Sequence, residues 1–331
     1  MNPSDQPSTS SAGPSQPSAQ PPAHDIIDGN CISAQVSDKD SECDIVPACS
    51  ANPDSVDGGD TIPSELVVKT SLECYAGEGI YKISAGNRGI CLIINNIKFE
   101  DQEFNREGSE KDGDSLQKVF TQLGYVVHYL QDLTSREMIQ TFQDYSKRAD
   151  HWTADCFVGI ILTHGWKQNT LFGTDHALVS LDEDLISQFN NGNCPQLIGK
   201  PKLFFVQACR GDIHDMGVCL QNVADAAGFA AVAEKQIQQM KLPSWSDTVI
   251  CFSTIDGYVS LRNVNTGSWF GDALIRCLCE HACDTELHSL FKKVNEKLML
   301  REGTSMLKQS LEIVYRGWSR DFYFNPGHYT F

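Results

Sequence analysis

Two residues that could carry out nucleophilic catalysis each follow an apolar segment of the sequence. Residues 200–211, KPKLFFVQACRG, run from an apolar stretch directly into Cys209. Residues 157–165, FVGIILTHG, end in the same way at His164 and Gly165. A thiol, with a pKa of about 8.5 in a free cysteine, becomes a nucleophile when a neighbouring imidazole accepts its proton and later delivers it to a leaving amine. The two side chains together predict nucleophilic catalysis by the thiol.

The pair is more informative than either residue alone, because a single Cys in a strand or a single His after one is usually structural. In an open α/β sheet the carboxyl ends of the strands form the edge where ligands bind. If the two strands are neighbours, thiol and imidazole reach the same edge. The backbone N–H groups of Gly165 and Cys209 would then form an oxyanion hole, since glycine permits a close approach.

The elements that must position this pair alternate between apolar β-rich runs and amphipathic helices. This order favours an α/β fold with a largely parallel sheet. Strands are predicted at 90–95, 125–130, 156–162, 203–207 and 248–253, with a weaker sixth at 321–324. A helix with Leu116, Val119 and Leu123 on one face should stop at Gly124, and the next should open with a Thr134 and Glu137 capping box. Further helices are predicted near 181–189, 270–281 and 285–300.

The composition changes sharply along the chain. All 30 aromatic residues lie at Tyr75 or later, while nine of the 13 prolines lie before it. Residues 1–74 carry 12 acidic residues and two lysines, a net charge of −10 within the total of −17. Such a segment cannot build a core, so we predict a disordered Pro/Ser-rich acidic leader followed by one folded domain. The acidic balance argues against nucleic acid and membrane partners.

The start of the chain has no secretory pattern and its apolar runs are too short to span a membrane, so a soluble, cytoplasmic protein is predicted. The 13 cysteines are odd in number and scattered, which favours buried thiols over disulfides. Cys277, Cys279, His281 and Cys283 suggest zinc by spacing alone. A helix would turn positions i and i+2 apart, so no metal site is predicted.

The pentapeptide QACRG at 207–211 is the signature of the caspases, whose histidine lies about 50 residues upstream; here the separation is 45 residues. The resemblance extends from residue 75 to the end of the chain and includes RGICLIINNIKF at 88–99, NREGSEKDGDSL at 105–116, GTD at 173–175 and SLRNVNTGSWF at 260–270. It implies a central, mostly parallel six-stranded sheet flanked by helices. It also implies a cysteine endopeptidase that cuts after aspartate and needs no cofactor, with a backbone carbonyl near Phe104 orienting His164.

The resemblance also assigns a pocket for the aspartate before the cut bond, the P1 residue. Arg106, Arg262 and Gln207 would line it, and paired guanidinium groups suit a carboxylate in a partly desolvated site. Further substrate contacts fall on one segment and the helix after it: Val259, Ser260, Leu261, Asn263 and Trp269. Many caspases have aromatic residues where this sequence has Val259 and Leu261, which leaves the preference at P2 and P4 open. Trp269 fits a P4 wall and a core position equally well.

A chain that cuts after aspartate can also be searched for its own cleavage sites. Asp28 and Asp57 in the leader and Asp225 in the break at 211–246 fit, with Asp212, Asp215 and Asp247 as weaker candidates. Cutting at Asp225 would separate a large subunit, 75–225, from a small one, 226–331. The resemblance implies a dimer of such heterodimers, an upstream activating protease and an inhibitor protein. The polar leader favours an executioner-like enzyme.

Two alternatives stay open at this point. A related protease that cuts after arginine or lysine would need acidic residues in its P1 pocket, which Arg106 and Arg262 contradict. A catalytically inert homologue that acts as a scaffold or decoy would still bind true proteases. The presence of both Cys209 and His164 favours the active enzyme.

Overall fold

A computed structural model describes residues 65–83, 86–216, 243–303 and 306–328. The strands are β1 Ile90–Asn95, β2 Val126–Gln131, β3 Phe157–Leu162, β4 Gly165–Trp166, β5 Thr170–Phe172, β6 Leu178–Ser180, β7 Lys202–Gln207, β8 Gly211–Ile213, β9 Thr248–Phe252, β10 Gly257–Tyr258, β11 Arg262–Asn263, β12 Gly267–Ser268 and β13 Glu312–Arg316. The helices are α1 Ser109–Gln122, α2 Ser135–Ser146, α3 Trp269–His281 and α4 Leu287–Leu300.

Six of the strands form one sheet in the order β13-β9-β7-β3-β1-β2. The pairs from β2 to β9 are all parallel, and only β13 joins its neighbour β9 in the antiparallel direction. Strands β1, β3, β7 and β9 are buried along their whole length. Continuous apolar runs are what strands covered on both faces require. The predicted α/β fold with a mostly parallel six-stranded sheet is therefore confirmed.

The helices cover the two faces of this sheet, each over its own apolar core. Phe120 of α1, Leu274 of α3 and Phe291 of α4 belong to one core cluster, whereas Met138 and Phe142 of α2 belong to the other. The residues predicted to end the first helix and to begin the second do so in the structure. Gly124 follows α1 with a φ of 87°, and the Thr134 and Glu137 side chains form the reciprocal capping box of α2.

The prediction of a sixth strand at 321–324 was wrong. The sixth strand is β13, and Asp321 makes only an isolated bridge to Ile80. Phe322 and Phe324 are buried in the core, which explains their apolar pattern without a strand. The β13 residues are half-buried or exposed because β13 is an edge strand, so their sequence lacks the continuous apolar run of the central strands.

Residues 181–189 do not form the predicted α-helix. They form a single wide π turn, Leu181–Leu185, followed by a 3₁₀ turn, Ile186–Phe189. Leu181, Leu185, Ile186 and Phe189 all lie in the core, and this combination of turns directs the adjacent Leu185 and Ile186 inward together.

The folded domain begins before the predicted boundary at Tyr75. Val68 is buried in the core, the Lys69 N–H donates to the Cys279 carbonyl at 3.0 Å, and the Ser71 N–H donates to the Pro326 carbonyl at 2.8 Å. Within the break at 211–246, residues 211–213 form β8, which pairs with β10. The rest of the predicted leader and the sites Asp28, Asp57 and Asp225 lie outside the described residues. In the described ranges, no helix is long and apolar enough to cross a membrane.

Candidate active site

The register of two neighbouring parallel strands brings the predicted nucleophile and base to the same edge of the sheet. Leu162, the last residue of β3, is paired with Gln207, the last residue of β7. The Thr163 N–H extends this pairing by donating to the Gln207 carbonyl at 3.2 Å. His164 and Cys209 each follow two residues after these paired positions, and both line one cleft of about 280 Å³.

The imidazole of His164 is held by a backbone carbonyl and by aromatic rings. Its Nε2 lies 2.8 Å from the Phe104 carbonyl oxygen. The Phe99 ring lies 5.0 Å from the imidazole, centroid to centroid, and the Phe104 ring packs edge-on at 6.3 Å. Since a carbonyl oxygen can only accept, the contact assigns the proton to Nε2, and Nδ1 then carries a lone pair.

The electrostatic surroundings keep this imidazole neutral. Burial lowers the pKa of His164 to about 3, and the positive charges of Arg106 and Arg262 act in the same direction. The bond to the Phe104 carbonyl opposes the shift but does not cancel it. At neutral pH the side chain is therefore a neutral imidazole that can accept a proton at Nδ1.

The thiol of Cys209 lies against the backbone of the segment between β10 and β11. The Ser260 N–H donates to Sγ at 3.3 Å, and Sγ lies 3.8 Å from the Ser260 carbonyl oxygen. Gly165 packs closely against the backbone of Cys209 itself. A Cβ atom added at Gly165 would be 2.3 Å from the Cys209 carbonyl oxygen and 2.9 Å from the Ala208 Cβ. Only glycine fits at this position.

Arg106 is 1% exposed and is fixed in orientation by hydrogen bonds. Its Nη1 donates to the Asn96 carbonyl at 2.7 Å and to Ser109 Oγ at 2.9 Å, and its Nη2 donates to Gln207 Oε1. Gln207 Nε2 in turn donates to Ser260 Oγ at 3.3 Å. The guanidinium is thus preorganised at the base of the cleft, beside Cys209 and His164.

Arg262 enters the same cleft from β11, which pairs with β12 as a short antiparallel hairpin. Arg106 and Arg262 therefore come from two parts of the chain that are separated in sequence by β2, β3, β7 and β9. The cleft collects positive charge from both, together with the amide of Gln207 and the hydroxyl of Ser260. A small carboxylate matches this set of donors.

Comparison with known proteins agrees with this geometry. The family model for the caspase domain matches residues 88–323. Chicken (Gallus gallus) caspase-2 is 34% identical over 259 residues, which cover 75% of this chain and 60% of that protein. Cell death protein 3 of Caenorhabditis remanei is 34% identical over 75% of this chain and 52% of its own length. Cattle (Bos taurus) caspase-3 is 36% identical over 67% of this chain and 77% of its own length.

This chain belongs to the caspase family. The crystal structure of caspase-1 from Spodoptera frugiperda matches with a TM-score of 0.67 and 29% identity, covering 80% of this chain and all of that one. The chain spans only about half to three fifths of the length of the first two relatives named above.

Three residues predicted to line the outer subsites are buried and are not among the residues that line this cleft. Val259 and Leu261 are 8% and 5% exposed. They flank Ser260, which lines the cleft and whose N–H donates to Cys209 Sγ. Trp269 is 2% exposed at the start of α3, with the Arg301 guanidinium 6.0 Å above its ring. Gln207 and Cys209 are as deeply buried, at 4% and 7% exposed, so the P2 and P4 contacts stay a prediction.

Asn263 likewise does not line the cleft, whereas Val264 next to it does. The Asn263 side-chain oxygen accepts the Asn265 N–H at 2.7 Å and so shapes the turn of the hairpin. Of the residues predicted to bind substrate, the structure brings Arg106, Gln207, Ser260 and Arg262 together with His164 and Cys209.

Two asparagines of the site were missed in the sequence. Asn95 Nδ2 donates to the Ser109 carbonyl at 2.9 Å, while Asn96 Nδ2 donates to Thr163 Oγ1 at 3.2 Å. Asn96 therefore supports the residue before His164, and Asn95 supports the start of α1. The signal was available, because both residues stand at the carboxyl end of β1, the same edge that singled out His164 and Cys209.

Proposed function

We propose that this chain is a cysteine endopeptidase that hydrolyses the peptide bond after aspartate, with Cys209 as nucleophile and His164 as acid and base. One observation carries the proposal: the thiol and a neutral, correctly tautomeric imidazole share a cleft with a buried, preorganised arginine. Family membership supports the reaction class. Because Arg106 and Arg262 both line the cleft, we expect protein substrates with aspartate at P1.

The reaction would proceed by acyl transfer. His164 Nδ1 accepts the proton of Cys209 as Sγ bonds to the substrate carbonyl carbon, and the N–H groups of Gly165 and Cys209 hold the oxyanion. The carbon–nitrogen bond then breaks, and the leaving amine takes the proton from Nδ1. Water attacks the thioester while Nδ1 accepts its proton. The carbon–sulfur bond breaks, and that proton returns to the thiolate.

Substrate entry would exchange contacts that Cys209 makes within the protein. The Ser260 backbone lies against Sγ, so the P1 residue must replace these contacts as it enters. The P1 carboxylate would bind between Arg106 and Arg262. A neutral P1 side chain would place no negative charge against the two guanidinium groups of the cleft, which disfavours it by roughly 10⁴-fold.

The test is hydrolysis of a tetrapeptide reporter library varied at P1 by the full chain and by Cys209→Ala. We expect hydrolysis confined to P1 aspartate and abolished in the variant. Cys74→Ala is the matched control, since Cys74 is an exposed thiol outside the cleft, and it should keep full activity. Wild-type protein that stays inactive after forced cutting at Asp225 would favour the inert scaffold instead.

Activation would follow from cutting between the strands that form the two halves of the site. We propose processing at Asp225 into a large subunit, 75–225, and a small subunit, 226–331, after removal of a prodomain. Asp247 is a poor site because it is buried and accepts a hydrogen bond from the Tyr81 hydroxyl at 2.9 Å.

The edge position of β13 supports pairing of two such heterodimers. Mass spectrometry that finds only an uncut, fully active monomer would contradict this assembly. An executioner-like role and a cytoplasmic location stay predictions.

A further inference from the structure

Asp112 is a fully buried carboxyl group that the proposed reaction does not use. It lies in the first turn of α1 and is 0% exposed. Both of its oxygens accept the Ser268 N–H, at 3.1 Å for Oδ1 and 2.9 Å for Oδ2. Burial raises the pKa of Asp112 to about 6, while the bonds from Ser268 and the charges of Arg106 and Arg262 counteract the rise. At neutral pH the group is mostly a buried anion.

The chain around Ser268 is shaped to receive this carboxylate. A Cβ atom added at Gly267 or at Gly271 would lie 2.4 Å from Asp112 Oδ1. Ser268 itself caps α3, since its Oγ accepts the Gly271 N–H at 2.9 Å. Two glycines therefore leave the space that Asp112 fills between β12 and the start of α3.

The contact holds the hairpin that carries one of the two pocket arginines. Ser268 is the residue paired directly with Arg262 across β11 and β12. The turn of the hairpin is held from the same helix, because Lys111 Nζ donates to the Val264 carbonyl at 2.9 Å and to the Asn265 carbonyl at 2.5 Å. The first turn of α1 thus fixes both ends of the hairpin.

The same turn of α1 also supports the other pocket arginine. The Ser109 N–H donates to the Arg106 carbonyl at 3.1 Å, and Ser109 Oγ accepts from Arg106 Nη1 at 2.9 Å. One helical turn, residues 109–112, is therefore in contact with the supports of both arginines. Because Arg106 and Arg262 come from distant parts of the chain, a common support of this kind sets their spacing.

We propose that Asp112 is a positioning residue of the P1 pocket, which sets the place of Arg262 by holding the Ser268 backbone opposite it. The inference rests on the proposed recognition of aspartate. Asp112 also supplies a negative charge near two guanidinium groups when no substrate carboxylate is bound, and so favours their approach to each other. If the chain is cut at Asp225, this contact links the large subunit to the small one.

The first experiment measures binding without catalysis. In full-length Cys209→Ala protein, fluorescence anisotropy gives the Kd of a fluorescein-labelled tetrapeptide that ends in aspartate. Adding Asp112→Asn, which keeps the size but removes the charge and one acceptor, should weaken binding about tenfold. Asp114→Asn is the matched control, because Asp114 is an exposed carboxylate in the same helix, and it should leave the Kd unchanged.

The second experiment separates positioning from general damage. In the protein with Cys209 intact, Asp112→Asn should raise KM for a P1 aspartate reporter about tenfold and lower kcat much less. The rate of Cys209 alkylation by iodoacetamide should stay at the wild-type value, since the thiol lies outside the altered contact. A variant that had only lost stability would show a lower melting temperature and a changed rate of Cys209 alkylation in addition to the higher KM.

The outcomes decide between the two proposals. An unchanged Kd in folded Asp112→Asn protein overturns the positioning role. Weaker binding in that variant, combined with a wild type that binds the peptide but never hydrolyses it, keeps the positioning role and overturns the proposed function. Failure of Cys209→Ala itself to bind overturns both. If Asp112→Asn does not fold, Lys111→Met tests the support of the same hairpin by α1 at a partly exposed position. An unchanged Kd in Lys111→Met contradicts the proposal, and weaker binding supports it.

Discussion

The close approach of Gly165 to the nucleophile's backbone makes Gly165→Ala a stringent test of the site. The added Cβ would lie 2.3 Å from the Cys209 carbonyl oxygen, whereas carbon–oxygen contacts of this kind are about 3.3 Å or longer. The two backbones must therefore separate by about 1 Å. A displacement of that size between reacting groups costs on the order of 100-fold in rate. Fitting one extra methyl group costs about 1–3 kcal/mol of stability.

The assay is steady-state hydrolysis of a P1 aspartate reporter, with melting temperature measured in parallel. We expect kcat to fall about 100-fold while KM changes little, because the carboxylate pocket is built from other residues. The melting temperature should drop by several degrees. Gly192→Ala is the matched control, since Gly192 is exposed and its added Cβ would come no closer than 3.4 Å to the Asn190 side chain.

An Ala variant with near wild-type kcat would refute the argument in a specific way. It would mean that the Gly165 and Cys209 backbones separate without moving the sulfur or the oxyanion donors. The proposed oxyanion hole at these two N–H groups would then be wrong, even if Cys209 remained the nucleophile.

Two further predictions concern the charged groups of the cleft. In Arg106→Lys the lysine cannot donate to the Asn96 carbonyl, Ser109 Oγ and Gln207 Oε1 at the same time. We therefore expect kcat/KM for a P1 aspartate reporter to fall about 100-fold or more, and its ratio to kcat/KM for a P1 glutamate reporter to change. Equal kcat/KM values for wild type and variant would contradict the proposed pocket. Because the pKa of His164 is lowered to about 3 from 6.5, the folded state binds fewer protons than the unfolded state between these values, and stability should fall as pH falls below about 6.5. Urea unfolding at several pH values should show a loss of about 1.4 kcal/mol per pH unit well below pH 6, which His164→Asn removes; parallel curves for the two proteins would rule out the shift.

The parallel part of the fold follows from the sequence because burial on both faces leaves an unmistakable pattern. The strand predicted at 90–95 has the bounds of β1. The bounds of β3, β7 and β9 differ from the predictions by one residue at one end, and β2 is shifted by one residue. β13 was missed because Glu312 and Arg316 shorten its apolar run to three residues, while the buried Phe322 and Phe324 gave a stronger apolar signal nearby. A run of apolar residues in the sequence indicates burial, and burial alone does not distinguish a strand from a packed loop.

The site was predictable where its residues end strands and unpredictable where they depend on tertiary contacts. Register alone brings His164 and Cys209 together once β3 and β7 are neighbours. The burial of Val259 and Leu261 depends on the path of the segment between β10 and β11, which only tertiary contacts determine. Asp112 gives no local sign of its partner, because the Ser268 N–H that it accepts is 156 residues away.

The order of strands has a consequence for a molecule that is cut in two. β7 and β9 flank the break in sequence, yet they are parallel neighbours joined along five residue pairs. Arg210, next to the nucleophile, adds bonds across the same boundary, donating to the Thr254 carbonyl at 3.1 Å and to Glu312. A cut at the proposed site would therefore leave these contacts in place, and the two fragments would complement each other in one sheet. Neither half could bury its open strand alone, so release of one would unfold both.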